Sequence, residues 1–215
     1  MTSRHPTLFL ASSNPGKVAE FRALTAADAS GTSGGIVSPV GSSVASVEIE
    51  LLPGFDCLPA FAEDAPTFGE NAAGKALHYS RCAEGLVLAD DSGLVVPALG
   101  GAPGVRSARY AGENATNAQR IAKLLAELPG RRGAERAAHF VCAIAVAEKG
   151  RAIAIVTDRV DGEILEAPRG SGGFGYDPVF YFPALKKTFA ELSLEEKNRH
   201  SHRGKAFRRL LRALA

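Results

Sequence analysis

The sequence predicts an α/β protein built on a mixed β-sheet, and three stretches carry that prediction. The apolar run Thr7-Leu8-Phe9-Leu10-Ala11 ends in the polar segment Ser12-Ser13-Asn14-Pro15-Gly16-Lys17 and passes into a helical pattern with Val18, Phe21 and Leu24 on one face. The run Leu86-Val87-Leu88-Ala89 is long enough for a buried strand and ends in Asp90-Asp91 and a Ser92-Gly93 turn. Residues 138–147 alternate, with Phe140, Cys142, Ile144 and Val146 on one face, and Lys149-Gly150 turns them into a second strand over 152–160. A hairpin beside a strand-loop-helix unit makes the sheet mixed.

Helix starts follow from capping. Thr67 with Glu70, Thr116 with Gln119 and Ser193 with Glu196 each fit the box in which a hydroxyl accepts from the third helical amide while the acid or amide reaches back. The first predicts a helix to about Ala83, on which Asn71, Lys75 and His78 share a face. The second predicts a helix through Leu128, closed by Pro129-Gly130. Gly162, Gly170, Gly172, Gly173 and Gly175 predict a loop that brings backbone close to a ligand. Residues 203–214 read as a helix with Phe207, Leu210, Leu211 and Leu214 inward. Residues 30–46, rich in Gly, Ser and Val and without charge, read as a flexible insertion or irregular strand. No repeat or linker divides the chain, so one domain is expected over 1–215, carrying that insertion.

At 215 residues with 46% hydrophobic content, the chain can bury a sizeable core. Its net charge of +2 argues against a nucleic-acid scaffold. No window approaches the length of a membrane helix and the start shows no apolar leader, so a cytoplasmic protein without membrane contact is expected. Cys57, Cys82 and Cys142 are odd in number and far apart, which suits buried free thiols.

The chemistry centres on Asp90 and Asp91. Adjacent acids after a buried strand repel each other and are costly to desolvate, so they call for a cation or a proton transfer there. Glu63-Asp64, before the Thr67 helix, either supplies a second metal ligand or favours the helix dipole. The Ser12 to Lys17 loop opens a helix, where amides and Lys17 can meet a polyphosphate; the competing reading is a polar turn capped by Asn14 with Pro15 at the first helical position. Lys75 binds phosphate as a point charge or is a surface lysine. Arg106 or Arg109, after the loop Leu99-Gly100-Gly101-Ala102-Pro103-Gly104-Val105, braces a phosphate or sits exposed at a loop rim. Gly172-Gly173-Phe174-Gly175-Tyr176-Asp177-Pro178 suits stacking of a planar base while a carboxylate reads its edge, or a tight turn. Lys197, His202, Arg203 and Lys205 offer donors to a base or phosphate, or form a solvated basic face.

In this order the pieces resemble the inosine triphosphate pyrophosphatase family. The resemblance rests on Ser12-x-Asn14-x-x-Lys17, Thr67-Phe68-x-Glu70-Asn71-Ala72-x-x-Lys75-Ala76, Ala89-Asp90-Asp91-Ser92-Gly93-Leu94, Leu99-Gly100-Gly101-x-Pro103-Gly104, Ser107-Ala108-Arg109-Tyr110, the Gly172 to Pro178 segment and Ser201-His202-Arg203-Gly204. Any one motif is weak, whereas the series is specific.

The resemblance implies an elongated mixed sheet flanked by helices, two lobes around a central nucleotide cleft, and a homodimer. It implies hydrolysis of ITP, dITP and XTP to monophosphate and pyrophosphate, cleansing the nucleotide pool. Asp91 would be general base and Mg²⁺ ligand with Asp90 in support, Glu63 or Asp64 the second metal carboxylate, and Ser12, Ser13, Asn14, Pro15, Gly16, Lys17 and Lys75 the triphosphate cradle. Ser92, Arg109, Phe174, Gly175, Tyr176, Asp177, Lys197, His202 and Arg203 would hold the nucleotide, with Arg203 facing a 6-oxo group. The segment at 30–46 lengthens the gap to Glu63 beyond the family's usual pattern. Two alternatives stand beside this reading: a related pyrophosphatase for modified pyrimidine or canonical nucleotides, and a non-catalytic nucleotide sensor or RNA-binding module built on the basic tail.

Overall fold

A computed structural model describes residues 6–29 and 47–215. The insertion read at 30–46 lies outside the described residues. Strand β1 (Thr7–Leu10), helix α1 (Pro15–Ala29) and strand β2 (Glu48–Leu51) open the chain, followed by α2 (Phe68–Tyr79) and β3 (Leu86–Val95). Helix α3 (Asn117–Ala126) precedes β4 (Ala137–Glu148) and β5 (Arg151–Ile164). The chain closes with β6 (Phe180–Phe182), β7 (Lys187–Thr188), α4 (Leu194–His200) and α5 (His202–Leu214). These strands form one seven-stranded sheet in the order β2-β1-β3-β4-β5-β6-β7. Strand β1 pairs in parallel with β2 and β3, whereas β6 pairs antiparallel with β5 and β7, so the sheet is mixed as expected.

The described residues form two compact units. The first takes the residues up to Asp91 with Ala143–Thr157 and Gly204–Ala215; the second takes Ser92–Cys142 and Asp158–Arg203. In the first, Ala72, Ala76 and Tyr79 of α2 pack on Val87 and Ala89 of β3 and on Ala143, Ala145 and Ala147 of β4. Phe21 of α1 meets Phe207 of α5 edge to face at 5.9 Å. In the second, Leu94, Ile121, Leu124, Phe140, Val160, Tyr176, Phe180 and Phe189 form the core.

Four expectations need correction. Strand β3 does not end at Ala89: it runs on to Val95, so Asp90, Asp91, Ser92 and Gly93 lie inside a strand and the Ser-Gly turn is absent. The reason lies in what surrounds Gly93. A Cβ there would stand 2.4 Å from Ser107 Oγ and 2.6 Å from the Gly104 carbonyl, so the glycine admits a neighbouring loop rather than bending the chain. Helix α2 stops at Tyr79, short of Ala83, where the Ser80 hydroxyl donates to the Leu77 carbonyl and accepts from Gly150 N. Gly162 belongs to β5, not to the following loop. Its missing side chain leaves room for the Tyr181 carbonyl and the Phe180 ring of β6, which a Cβ would meet at 2.5 and 2.6 Å. Cys57 and Cys82 are exposed, and Cys142 alone is buried.

Helix α3 ends at Ala126, two residues before the expected Leu128, and other sequence signals hold at atomic level. Lys149 (φ 48°) and Gly150 (φ 76°) form the two-residue turn between β4 and β5 with both residues left-handed. Thr116 with Gln119 and Ser193 with Glu196 make complete capping boxes. Thr67 accepts from Glu70 N, but the Glu70 carboxylate accepts a hydrogen bond from the Thr67 hydroxyl instead of returning to the backbone. Phe207, Leu210 and Leu211 of α5 are buried as its periodicity requires, whereas Leu214, expected inward with them, is half-buried at the helix end.

Gly162→Ala should lower stability by about 1–3 kcal/mol, because the added methyl has no space against β6. Urea denaturation reads this directly, and an unchanged midpoint would show that β6 is not held against residue 162.

Candidate functional site

Alternation along β3 sends successive side chains to opposite faces, and the packing shows which face is which. Val87 and Ala89 lie on the α2 side, so Asp91 follows them toward α2. Asp91 is 5% exposed and its Oδ2 accepts from Asn71 Nδ2 at 3.0 Å. Asp90, wholly buried, pairs instead through its Oδ2 with Lys17 Nζ at 3.0 Å. Lys75, one turn further along α2 than Asn71, holds Glu63 Oε1 at 2.7 Å. Glu63 is half-buried beside this group, whereas Asp64 is exposed. Gly74 makes the approach possible: a Cβ there would strike the Phe61 ring at 2.5 Å, and Phe61 leads the chain into Glu63.

The electrostatics follow from crowding acids in a dry place. Burial pushes the Asp91 carboxyl up to about 6; Glu63 and Asp90 add to the rise, while Lys17 and the Asn71 hydrogen bond oppose it. Burial alone would lower the Lys75 ammonium, but Glu63, Asp90 and Asp91 outweigh it and hold the group above its ordinary range. The Lys75 shift describes a cluster with an excess of negative charge. Oxygen donors with that excess fit a hard divalent cation. Among the described residues no group of three or more His, Cys, Asp or Glu forms a metal cage, and Mg²⁺ characteristically takes only one or two carboxylates. The Glu63 and Asp91 carboxylates lie near enough for one to raise the pKa of the other, a donor chemistry that fits such a cation.

The loop before α1 is organised by its own side chains. Asn14 Oδ1 accepts from Gly16 N at 3.0 Å and Lys17 N at 3.2 Å, and Asn14 N donates to Ser12 Oγ at 3.3 Å. The capped-turn reading therefore describes the local geometry, and these three amides are engaged within the loop. Ser12 is buried and Ser13, Asn14 and Pro15 are exposed. What the loop contributes to the acid cluster is Lys17.

In the second unit, Asp177 is the organiser. Its Oδ2 accepts from Phe174 N at 2.7 Å and from Lys197 Nζ at 2.5 Å. Gly173 (φ 69°) lets the turn close over that carboxylate, since a Cβ would lie 2.1 Å from it. Phe174 stays half-buried, with Lys197 Nζ 4.7 Å and Arg203 Cζ 5.7 Å from its ring centre. Gly175 (φ 62°) continues the turn. Tyr176 goes into the core and donates its hydroxyl to the Ser107 carbonyl at 3.0 Å. Arg203, 1% exposed, donates to Ser92 Oγ at 2.8 Å, and His202 stacks on Phe140 at 4.8 Å. Lys197, His202 and Arg203 are all buried, so the solvated basic face fails as a description of them. Arg109 is half-buried in a short 3-10 helix, and Arg106 is exposed.

Two buried polar residues were passed over as site residues in the sequence. Asn71 enters the sequence reading as a face-mate of Lys75 and as part of the Thr67 to Ala76 motif, without a role of its own. Ser107 carried no role, yet its hydroxyl accepts from Leu94 N at 2.9 Å and donates to the Gly104 carbonyl at 2.7 Å, fixing the loop against β3.

A mixed sheet whose third strand carries two buried carboxylates, matched by lysines from two helices, defines a class of α/β protein suited to polyanion and cation chemistry. The chain belongs to the Ham1 family, whose model matches residues 8–213. It is 51% identical over 203 residues to the dITP/XTP pyrophosphatase of Geobacillus kaustophilus, covering 94% of this chain and 91% of that one. Among solved structures, a HAM1 protein from Coxiella burnetii matches with a TM-score of 0.79 and 40% identity, over 97% of this chain and 98% of that one. The Staphylococcus aureus Ham1 protein matches with a TM-score of 0.78 and 35% identity, over 97% of each chain. The resemblance read from the seven motifs is borne out.

Asp91→Asn should raise the stability of the metal-free protein. A carboxyl with a raised folded pKa binds its proton more tightly when folded, so it leaves stability intact below about pH 4. It costs stability progressively between about 4 and 6, and fully above. Removing the charge should return about 1–3 kcal/mol at pH 8, and thermal unfolding in chelator would show no gain if Asp91 were solvated. Lys197→Met should cost about 3 kcal/mol by leaving Asp177 charged and buried, and adding Asp177→Asn should recover part of it. Strictly additive costs in that double-mutant cycle would exclude a coupled pair.

Proposed function

We propose that the chain is a nucleoside triphosphate pyrophosphatase acting on dITP, ITP and XTP, releasing nucleoside monophosphate and pyrophosphate and so keeping these nucleotides out of DNA and RNA. The observation that carries the proposal is the buried Asp90 and Asp91 pair matched by Lys17 and Lys75. Identity of 51% to a relative named dITP/XTP pyrophosphatase supports the substrate class.

In this proposal Asp91 accepts the proton of the attacking water. Glu63 and Asp91 would hold Mg²⁺, which when bound would supply charge neutralisation for phosphate oxygens. Asp90 keeps Lys17 aimed, and Lys17 and Lys75 receive the negative charge of the departing pyrophosphate. Attack falls on the α-phosphorus. Phe174 offers a ring face to the base, held by Lys197 and Arg203, and Arg203 supplies a donor to a 6-oxo group that adenine lacks. Action on free nucleotides, cytoplasmic location and a homodimeric state belong to the same proposal and rest on the family resemblance.

The test is an assay of dITP, ITP, XTP and the four common triphosphates with Mg²⁺, scoring pyrophosphate against orthophosphate. Pyrophosphate release from dITP and XTP, with kcat/KM at least tenfold above that for ATP, is expected. Chelation or Asp91→Asn should abolish it. Orthophosphate as the product, or equal kcat/KM for ITP and ATP, would sink the proposal.

A further inference from the structure

Asn71 is wholly buried, sits near the start of α2, and makes three side-chain hydrogen bonds. Two go to one residue: Oδ1 accepts from Ala65 N at 2.9 Å, and Nδ2 donates to the Ala65 carbonyl at 3.3 Å. The third runs from Nδ2 to Asp91 Oδ2 at 3.0 Å. The pair of hydrogen bonds with the Ala65 backbone fixes which end of the carboxamide is nitrogen, so its remaining N–H must point at the carboxylate. Ala65 lies two residues after Glu63. One short, rigid side chain thus ties the segment carrying Glu63 to the strand carrying Asp91.

We propose that Asn71 is a positioning residue that sets the separation and orientation of the Glu63 and Asp91 carboxylates for a divalent cation. The inference deepens the pyrophosphatase reading and rests on it. Each carboxylate has a lysine pulling on it: Lys75 on Glu63, Lys17 on Asp91. Asn71 opposes a drift of either toward its lysine. Aspartate in its place would keep the acceptor for Ala65 N, lose both donors and set a further negative charge beside Asp91. Alanine would remove the tie altogether. Outer partners of metal ligands characteristically govern affinity or activity by about 10–100-fold.

The experiment measures Mn²⁺ affinity of the nucleotide-free protein by electron paramagnetic resonance, together with kcat and KM for dITP and the unfolding temperature. Asn71→Ala should weaken Mn²⁺ at least tenfold and lower kcat at least tenfold, with KM changed less than threefold. Ser80→Ala serves as control, since it removes a buried hydroxyl just past the other end of the same helix and should lower the unfolding temperature while leaving affinity and kcat at wild-type values. If Asn71→Ala matches that pattern, Asn71 is only structural and the inference is overturned. If Asn71→Ala does not fold, Asn71→Asp decides: near-normal kcat overturns the inference, a loss of tenfold or more in a folded protein supports it. A wild-type protein that neither binds Mn²⁺ nor releases pyrophosphate from dITP would instead sink the functional reading, a distinguishable result.

Discussion

Two carboxylates buried in the middle of a strand are the constraint on which the first unit depends. An ion taken out of water without compensation costs several kcal/mol, so β3 can carry Asp90 and Asp91 only if their surroundings supply charge and hydrogen bonds. The neighbouring helices contribute such groups. Asn14 caps α1 so that Lys17 leaves its first turn toward Asp90, and α2 brings Asn71 and Lys75 on one face. The packing serves the same end. Ala72, Ala76, Ala89, Ala143, Ala145 and Ala147 line the contact of α2 with the strands, and small residues let the helix lie close enough for a side chain as short as asparagine to reach the strand.

The second unit solves a different problem, how to hold a glycine-rich loop in one shape. Glycines give the segment from Gly170 to Gly175 its positive φ angles and also the largest entropy to lose. Asp177 offsets this by accepting from the loop's own amide and from a buried lysine, and Tyr176 anchors the loop to the carbonyl of Ser107. Two residues that composition assigns to a base pocket thus hold the loop itself, and Phe174 is the aromatic left half-buried. The cations near its ring are fixed in turn, Lys197 by Asp177 and Arg203 by Ser92.

The sequence made legible what local rules govern. Periodicity located β1, α1, the β4 and β5 hairpin and α5; capping side chains located the starts of α2, α3 and α4, because each signal lies within a few residues of the structure it causes. Long-range contacts were illegible. Gly93 and Gly162 read as turn and loop residues because sequence shows a missing side chain but not the carbonyl or ring that occupies its space. The roles of Asn71 and Ser107 depend on partners up to 69 residues away, as with the Tyr176 hydroxyl on Ser107. The motif series identified the family although no single motif did, since order along the chain carries information that one loop lacks.

The correction at β3 changes the meaning of its acids. In a turn, Asp90 and Asp91 would both be solvated and chemically alike. Inside a strand, alternation places them in different environments, and burial makes those environments matter. Asp90 meets a lysine in an ion pair, while Asp91 meets a neutral amide amid other carboxylates and its pKa rises to about 6. Groups of one chemical type whose surroundings drive them apart are how a site obtains separate roles from identical residues. A strand supplies that division without any further device, because its period of two assigns neighbours to opposite sides. The adjacency that looks like redundancy in the sequence is therefore the means by which one acid is held in an ion pair while the pKa of its neighbour is raised by burial.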